Sequence, residues 1–335
     1  MSRIIHACSS PLVRPNGIVR YVNTVIDLQR ELGHDVLFVS DSKPTQVINA
    51  PVVYMHNEST YTPGMKDGHV WLQVDRNLDE YIKMVLHNTY RSGDILIAHD
   101  IFSFLAMIQF SKNTLFIQHE TDILTSGYRF SYLSDEWLDL HRGWANFSQV
   151  GRIGLTIPKT TLYPKNPVYT PCPFVVDTTP VTPTKGLLYI GDKSKRKGAV
   201  EFMRVARALN VRPTVITHEL DDELFAGADV YSFSLQQRDE MINLIRQHKV
   251  AYIPSKNECP GLAVLECLQY MPTVILGDYG WTSAHRDTGA TISSLDRVVG
   301  DIDYLLKSNV PYVNAPLRVW ANTARTIWIE LSKGK

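Results

Sequence analysis

The stretch Ile253-Pro254-Ser255-Lys256-Asn257-Glu258-Cys259-Pro260-Gly261-Leu262-Ala263-Val264-Leu265-Glu266 decides how this chain is read. The run Val250-Ala251-Tyr252-Ile253 has the character of a buried strand, and it breaks at Pro254-Ser255. A short polar loop carries Glu258, Pro260-Gly261 kinks it, and Leu262–Leu265 opens a helix that bears Glu266. A helix start leaves backbone N–H groups and a partial positive charge facing whatever sits above it. Glu266 stands five residues past Gly261, about 7 Å along the axis at the ordinary helical rise. This spacing lets one ligand touch the N–H groups and both carboxylates at once.

Outward from this stretch, the second half of the chain alternates strand and helix. Gly186–Gly191 reads as a strand, followed by Asp192-Lys193-Ser194-Lys195-Arg196-Lys197-Gly198 and a helix over Ala199–Leu209. Four cations in five residues between a strand and a helix suit a polyphosphate, or form a solvated basic turn. Further strands are expected at Thr214–Thr217, Asp229–Phe233, Thr273–Leu276 and Ala290–Ile292, with helices at Arg238–Gln247 and near Arg297–Lys307. Asp301-Ile302-Asp303, at the start of that last helix, reads as capping rather than metal chelation. The terminal Leu317–Leu331 is a helix carrying Trp320 and Trp328, too apolar to stand alone.

The first half has the same grammar. Arg3–Ala7 is a strand, a loop reaches Gly17, and an amphipathic helix from Ile18 to Leu32 stops at Gly33 before the strand Val36–Val39. This βαβ unit puts Gly17 where open parallel sheets hold phosphate, although G-x-G-x-x-G is absent and a simple turn explains one glycine equally well. Strands follow at Val52–Met55, Val70–Val74, Ile95–Ala98, Leu115–Ile117 and Ile153–Ile157, with helices at Leu78–Tyr90 and Phe102–Phe110. The strands at Ile95 and Leu115 run out into His99-Asp100 and His119-Glu120, and Glu120 and Asp122 either orient His119 or are solvated. Six prolines between Leu162 and Pro183 mark an extended linker between two domains.

Composition sets the bounds. A chain of 335 residues with 44% apolar and 20% charged residues fits two α/β domains. Lys+Arg and Asp+Glu are equal at 34, so net charge favours neither nucleic acid nor an anionic membrane. Cys8, Cys172, Cys259 and Cys267 show no C-x-x-C spacing, as expected of reduced thiols in a cytoplasm without a zinc site. No apolar run reaches the ~20 residues of a membrane span, and Met1–Ile5 leads into a strand, not a signal peptide.

The whole pattern resembles retaining glycosyltransferases of the GT-B fold, in the family 4 group. The residues that carry the resemblance are Pro15-Asn16-Gly17-Ile18-Val19-Arg20, Gly33-His34-Asp35-Val36, Phe174-Val175-Val176-Asp177, and Tyr189-Ile190-Gly191 through Lys197-Gly198. To these is added the pair Glu258 and Glu266, with seven residues between them, after Pro254-Ser255. The resemblance implies an α/β GT-B architecture, two Rossmann-like doubly wound domains facing each other across an interdomain cleft. The expected division is an acceptor-side domain over residues 1–170, a linker over 171–183, a donor domain over 184–315, and a helix over 316–335 that crosses back. It further implies a UDP-sugar, or another nucleotide-diphosphate sugar, as donor, with no metal required and no protein partner. By the same resemblance Glu258 holds the transferred sugar's hydroxyls, Glu266 the ribose, and Lys197 the leaving diphosphate. The backbone of Cys259, Pro260, Gly261 and Leu262 helps to hold the donor, the Gly17 loop closes on it, and His119 contacts the sugar. The family's Arg after the donor-strand glycine is here Asp192, with Lys193 or Arg196 as the available substitutes.

The acceptor stays open between hydroxymethylated cytosine in phage DNA, which would place the protein in a host cytoplasm, and a lipid or polysaccharide hydroxyl. For duplex DNA the sequence offers a stripe of Arg129, His141, Arg142, Arg152, Lys159 and Lys165. Competing readings are an inactive nucleotide- or nucleic-acid-binding module, supported by Asp192, and a sugar-nucleotide epimerase.

Overall fold

The computed structural model describes residues 3–8, 17–44, 46–56, 62–66, 69–73, 78–119, 152–155, 168–177, 179, 182–218, 220, 222–234, 237–256, 258, 261–277, 279–308 and 312–334. The chain divides into two compact units, Met1–Phe174 with Asn322–Lys335, and Val175–Ala321. The division falls inside the proline-rich stretch.

In the first unit the strands are β1 (Arg3–Ala7), β2 (Asp35–Ser42), β3 (Val52–His56), β4 (Thr62–Lys66), β5 (His69–Gln73), β6 (Ile95–Ala98), β7 (Leu115–Gln118), β8 (Arg152–Leu155) and β9 (Val168–Tyr169). Seven of them form one sheet in the order β3-β2-β1-β6-β7-β8-β9, and every pairing in it is parallel. Helices α1 (Gly17–Glu31), α2 (Leu78–Thr89) and α3 (Ile101–Met107) connect them. The period-two alternation of β1 explains the layering. Ile5 and Ala7 join a core with Val39, Leu86, Phe104 and Phe116, while Cys8 packs with Val22, Ile26 and Phe38 beside α1.

The aromatic content of the C-terminal helix has a local cause. Trp328 donates its indole N–H to the Pro171 carbonyl at 2.7 Å and lies edge-on to Tyr21, while Arg325 pairs with Glu31 at 2.6 Å. These contacts fasten residues 322–335 to the first unit.

The second unit has β10 (Lys185–Ile190), β11 (Thr214–Ile216), β12 (Asp229–Tyr231), β13 (His248–Ile253), β14 (Thr273–Leu276) and β15 (Thr291–Ser293). With them come α4 (Ala199–Ala208), α5 (Arg238–Ile245), α6 (Leu262–Cys267) and α7 (Val298–Lys307), and α8 (Ala315–Leu331) closes the chain. The sheet order is β12-β11-β10-β13-β14-β15, all parallel. Chain direction across the sheet reverses between β10 and β13, which is the switch point where open α/β sheets hold ligands. Leu187, Tyr189, Phe202, Val215, Val250, Tyr252, Val274 and Ile302 form its core.

Several expectations are corrected. The strand expected at Val70–Val74 is β5, paired antiparallel with β4 in a separate hairpin rather than in the main sheet. Thr62-Pro63-Gly64 hid β4, because Pro and Gly both depress strand propensity. Val168–Tyr169, at the start of the proline-rich stretch and before the linker expected over 171–183, adds the short edge strand β9. Asp301 and Asp303 do not cap α7, whose N-cap is Arg297. Asp301 accepts the Ser293 hydroxyl at 2.6 Å and Asp303 pairs with Lys307 at 2.7 Å. Among the described residues no helix is long and apolar enough to cross a membrane.

Candidate functional site

In the second unit two loops leave the C-terminal ends of the adjacent strands β10 and β13. The first, Gly191–Gly198, turns tightly because Asp192 accepts the Ser194 N–H at 2.9 Å and the Tyr189 hydroxyl donates to the Asp192 carbonyl at 2.8 Å. The acid that departs from the family pattern is thus engaged by its own loop. Gly198 ends the loop at φ 73° and starts α4, and a Cβ there would lie 2.4 Å from the Pro254 carbonyl oxygen. Only glycine allows that approach. The two loops are also joined by Lys256 N–H to the Arg196 carbonyl at 2.7 Å and by the Ser255 hydroxyl to the same carbonyl, while Trp281 Nε1–H braces the second loop at the Ser255 carbonyl at 3.1 Å.

This joining brings Lys197 Nζ to 2.5 Å from Glu258 Oε1, with both side chains largely shielded. Burial pushes the Glu258 carboxyl up. The charges of Lys197 and Arg196, with hydrogen bonds from Lys197 and Ser255, outweigh it and hold the group below the usual carboxylate range. At this site the two groups are therefore an ion pair at neutral pH. Lys193 turns the other way, to Asp222 at 2.7 Å on the surface, which lowers the Asp222 carboxyl. Asp222 stands 29 residues along the chain, so no local pattern announced it.

Glu266 is buried on α6, and Arg238 at the start of α5 reaches its Oε1 at 3.1 Å. Gly261 is the N-cap of α6 at φ 76°. A Cβ there would meet His285 Nε2 at 3.0 Å and the Glu258 side chain at 3.3 Å. Leu262 is the first residue of α6, and that helix has only six residues, so its dipole is weaker than the sequence led one to expect. The ten-residue α4 is the longer helix with its N-terminus at this junction. Cys259 and Pro260 lie outside the described residues. Arg238, Trp281 and His285 were missed. Each sits in a segment whose composition is ordinary, and only the fold brings it to Glu258 or Glu266.

In the first unit Gly17 is exposed at the start of α1, and the loop before it lies outside the described residues. His119 follows β7 and is buried, with its Nε2 at 3.0 Å from His99 Nδ1. His99 Nε2 is in turn 2.8 Å from His6 Nδ1, and His6 Nε2 is 2.7 Å from Gln29 Oε1 on α1. Strand register produces this row. His6 pairs with Ile97, two residues before His99, and Ile117, two before His119, stands beside the residue after Ala98, so each step keeps the same face. Burial lowers all three rings, His6 to about 4 and His119 to about 3, with His99 lowered further by its two neighbours. They are neutral at pH 7. His119 is oriented by His99, and the Tyr21 ring stands edge-on to it at 4.8 Å. Glu120 and Asp122 lie outside the described residues. Of the basic stripe only Arg152 falls within them, in β8.

Structural comparison agrees over the full length. TarM matches with a TM-score of 0.64 at 9% identity, covering 100% of this chain and 96% of its own. A TarM variant from S. aureus in complex with Fondaparinux, alpha-GlcNAc-glycerol and UDP matches with a TM-score of 0.66 at 9% identity, covering 100% and 97%. WaaG, a glycosyltransferase involved in lipopolysaccharide biosynthesis, matches with a TM-score of 0.62 at 13% identity, covering 98% of each chain. At such identities the likeness is one of fold, and the chain has the α/β GT-B fold found in glycosyltransferases. No family model and no curated protein sequence matches it.

Proposed function

We propose that this chain is a nucleotide-sugar-dependent glycosyltransferase that holds its donor on the second unit. The observation that carries the reading is the shielded Lys197–Glu258 pair, set by two interlocked loops at the strand-order switch point of a GT-B fold. Breaking a sugar–diphosphate bond builds negative charge on phosphate oxygens, and a pre-aimed cation beside a helix start stabilises it. Lys197 supplies that charge. As it moves to the phosphate it releases Glu258, whose carboxylate then accepts hydrogen bonds from the sugar hydroxyls. Glu266, steadied by Arg238, receives the ribose hydroxyls. Gly261 and Leu262 bring backbone to the sugar, and Arg196 adds positive charge.

UDP is the favoured donor nucleotide, because structural neighbours carry UDP or UDP-2-fluoro glucose. Transfer with retention, by attack from the face the diphosphate leaves, needs no nucleophilic side chain. The role of Asp192 within its own turn removes the main ground for an inactive module. For the acceptor the sequence proposes a hydroxyl on modified cytosine in DNA, with a lipid or polysaccharide hydroxyl as the alternative.

Incubation with UDP-, GDP- and ADP-sugars, with and without duplex DNA containing hydroxymethylcytosine, tests both levels. Turnover of one donor and a product of unchanged anomeric configuration are expected. Absence of turnover with every donor, together with no thermal shift from any nucleoside diphosphate, overturns the donor reading. DNA binding that is negligible and flat between two salt concentrations overturns the acceptor alone.

A further inference from the structure

We propose that Gln29, His6 and His99 are positioning residues that fix His119 with its proton on Nε2 and its Nδ1 lone pair offered to a ligand hydroxyl. The ligand's being a sugar or a sugar acceptor rests on the glycosyltransferase reading; the protonation pattern does not.

A neutral imidazole carries one N–H and one lone pair, so the polarity of one bond sets the next. The near end of the row is Gln29 Oε1, an acceptor only, so the proton of His6 is on Nε2. His6 Nδ1 is then a lone pair, and His99 Nε2 donates to it at 2.8 Å. His99 Nδ1 is a lone pair in turn, and His119 Nε2 donates at 3.0 Å. The last ring is left with an acceptor at Nδ1. The ring geometry supports bonding in line. His6 and His99 have centroids 5.1 Å apart and planes 11° apart. With nitrogens only 2.8 Å apart, the rings meet edge to edge in nearly one plane, where N–H and lone pair are collinear.

An amide also closes the row chemically. Its oxygen accepts a hydrogen bond but does not carry a proton onward, and its Nε2 has no partner among the described residues. The row is therefore a device for orienting a lone pair, not a conduit. His119 accepts a hydrogen bond from a hydroxyl without removing its proton. Turning the Gln29 amide over would reverse every tautomer and make His119 Nδ1 a donor, so one side chain sets the sign of the whole row.

Two-bond 1H–15N correlation spectra of the full chain at pH 7.5, assigned through single His→Gln variants, read the tautomers directly. Expected are neutral rings with the proton on Nε2 at His6, His99 and His119. A proton on Nδ1 of His99 or His119, or an imidazolium at either, overturns the proposal. Gln29→Met keeps the shape and removes the strong acceptor, and His119 should then split between its two tautomers. An unchanged His119 in that variant overturns the role of Gln29, and if the variant does not fold, the wild-type spectrum alone decides. On whichever UDP-sugar the wild type turns over, Gln29→Met should lose about tenfold in kcat/KM. A wild type with the expected tautomers and no turnover counts against the glycosyltransferase reading only.

Discussion

Lowering the pH from 7.5 to 5 should unfold the first unit before the second. In the unfolded chain each histidine titrates near 6.5, about its ordinary value. In the folded chain His6 sits at about 4, His119 at about 3, and His99 is also far below its ordinary value. The unfolded state therefore binds up to three more protons in this window. Stability is fully present above pH 6.5, is lost as pH falls toward the folded values, and levels off below them. Between pH 7.5 and 5 His6 and His119 each cost about 2 kcal/mol, about 4 kcal/mol together, and His99 acts in the same direction. That is a large part of the stability of a typical domain. In the second unit His248, lowered to about 4 by burial, contributes about 2 kcal/mol over the same range. Hydrogen exchange read by mass spectrometry at pH 7.5, 6 and 5, corrected for intrinsic rates, resolves the two units. Protection in peptides covering β1, β6 and β7 should collapse well before that in β10 and β13. Unchanged protection of β1, β6 and β7 down to pH 5 would refute the idea that the three rings are buried and neutral.

Gly198→Ala, Arg238→Ala and Glu266→Gln probe the second unit, with Gly93→Ala in the first unit as the unstrained control. Gly198→Ala meets the Pro254 carbonyl oxygen at φ 73° and should cost about 3 kcal/mol. Gly93→Ala, at φ 96° with nothing within 4 Å, should cost only about 1 kcal/mol. Equal denaturant midpoints for the two would argue against the close loop contact. Arg238→Ala takes the Arg238 guanidinium away from the buried Glu266 carboxylate and should lower stability by about 2 kcal/mol at neutral pH. Glu266→Gln in the same background should recover most of that loss, and a double variant no better than Arg238→Ala would show that the pair is not what matters.

Much of the fold was legible because the buried parallel strands are continuous apolar runs separated by helix signals. Val250–Ile253 and Ile95–Ala98 are of this kind, and a register error there would put apolar side chains into water. The paired acids and the basic loop were legible as chemistry, yet the partner of each charge was not. Lys197 finds Glu258 across 61 residues and Glu266 finds Arg238 across 28, distances that only the sheet order closes. His99 and His119 were visible as strand ends. His6 was not, since a histidine between Ile5 and Ala7 reads as an ordinary core residue. Gln29 was the clue available: it lies on the apolar stripe of α1 with Val22, Val25 and Ile26, where a polar side chain needs a buried partner.

Calorimetric titration of UDP into the wild type, Lys197→Ala and Glu258→Gln tests most directly whether the two interlocked loops are a nucleotide-sugar site. The wild type should bind UDP, and Lys197→Ala should bind it about 100-fold more weakly, within the ~1.5–3 kcal/mol of a lost hydrogen bond to a charged group. Glu258→Gln should bind UDP nearly as well as the wild type while failing to turn over any UDP-sugar. Equal UDP affinity in the wild type and Lys197→Ala, or full turnover by Glu258→Gln, would contradict the roles assigned to this pair.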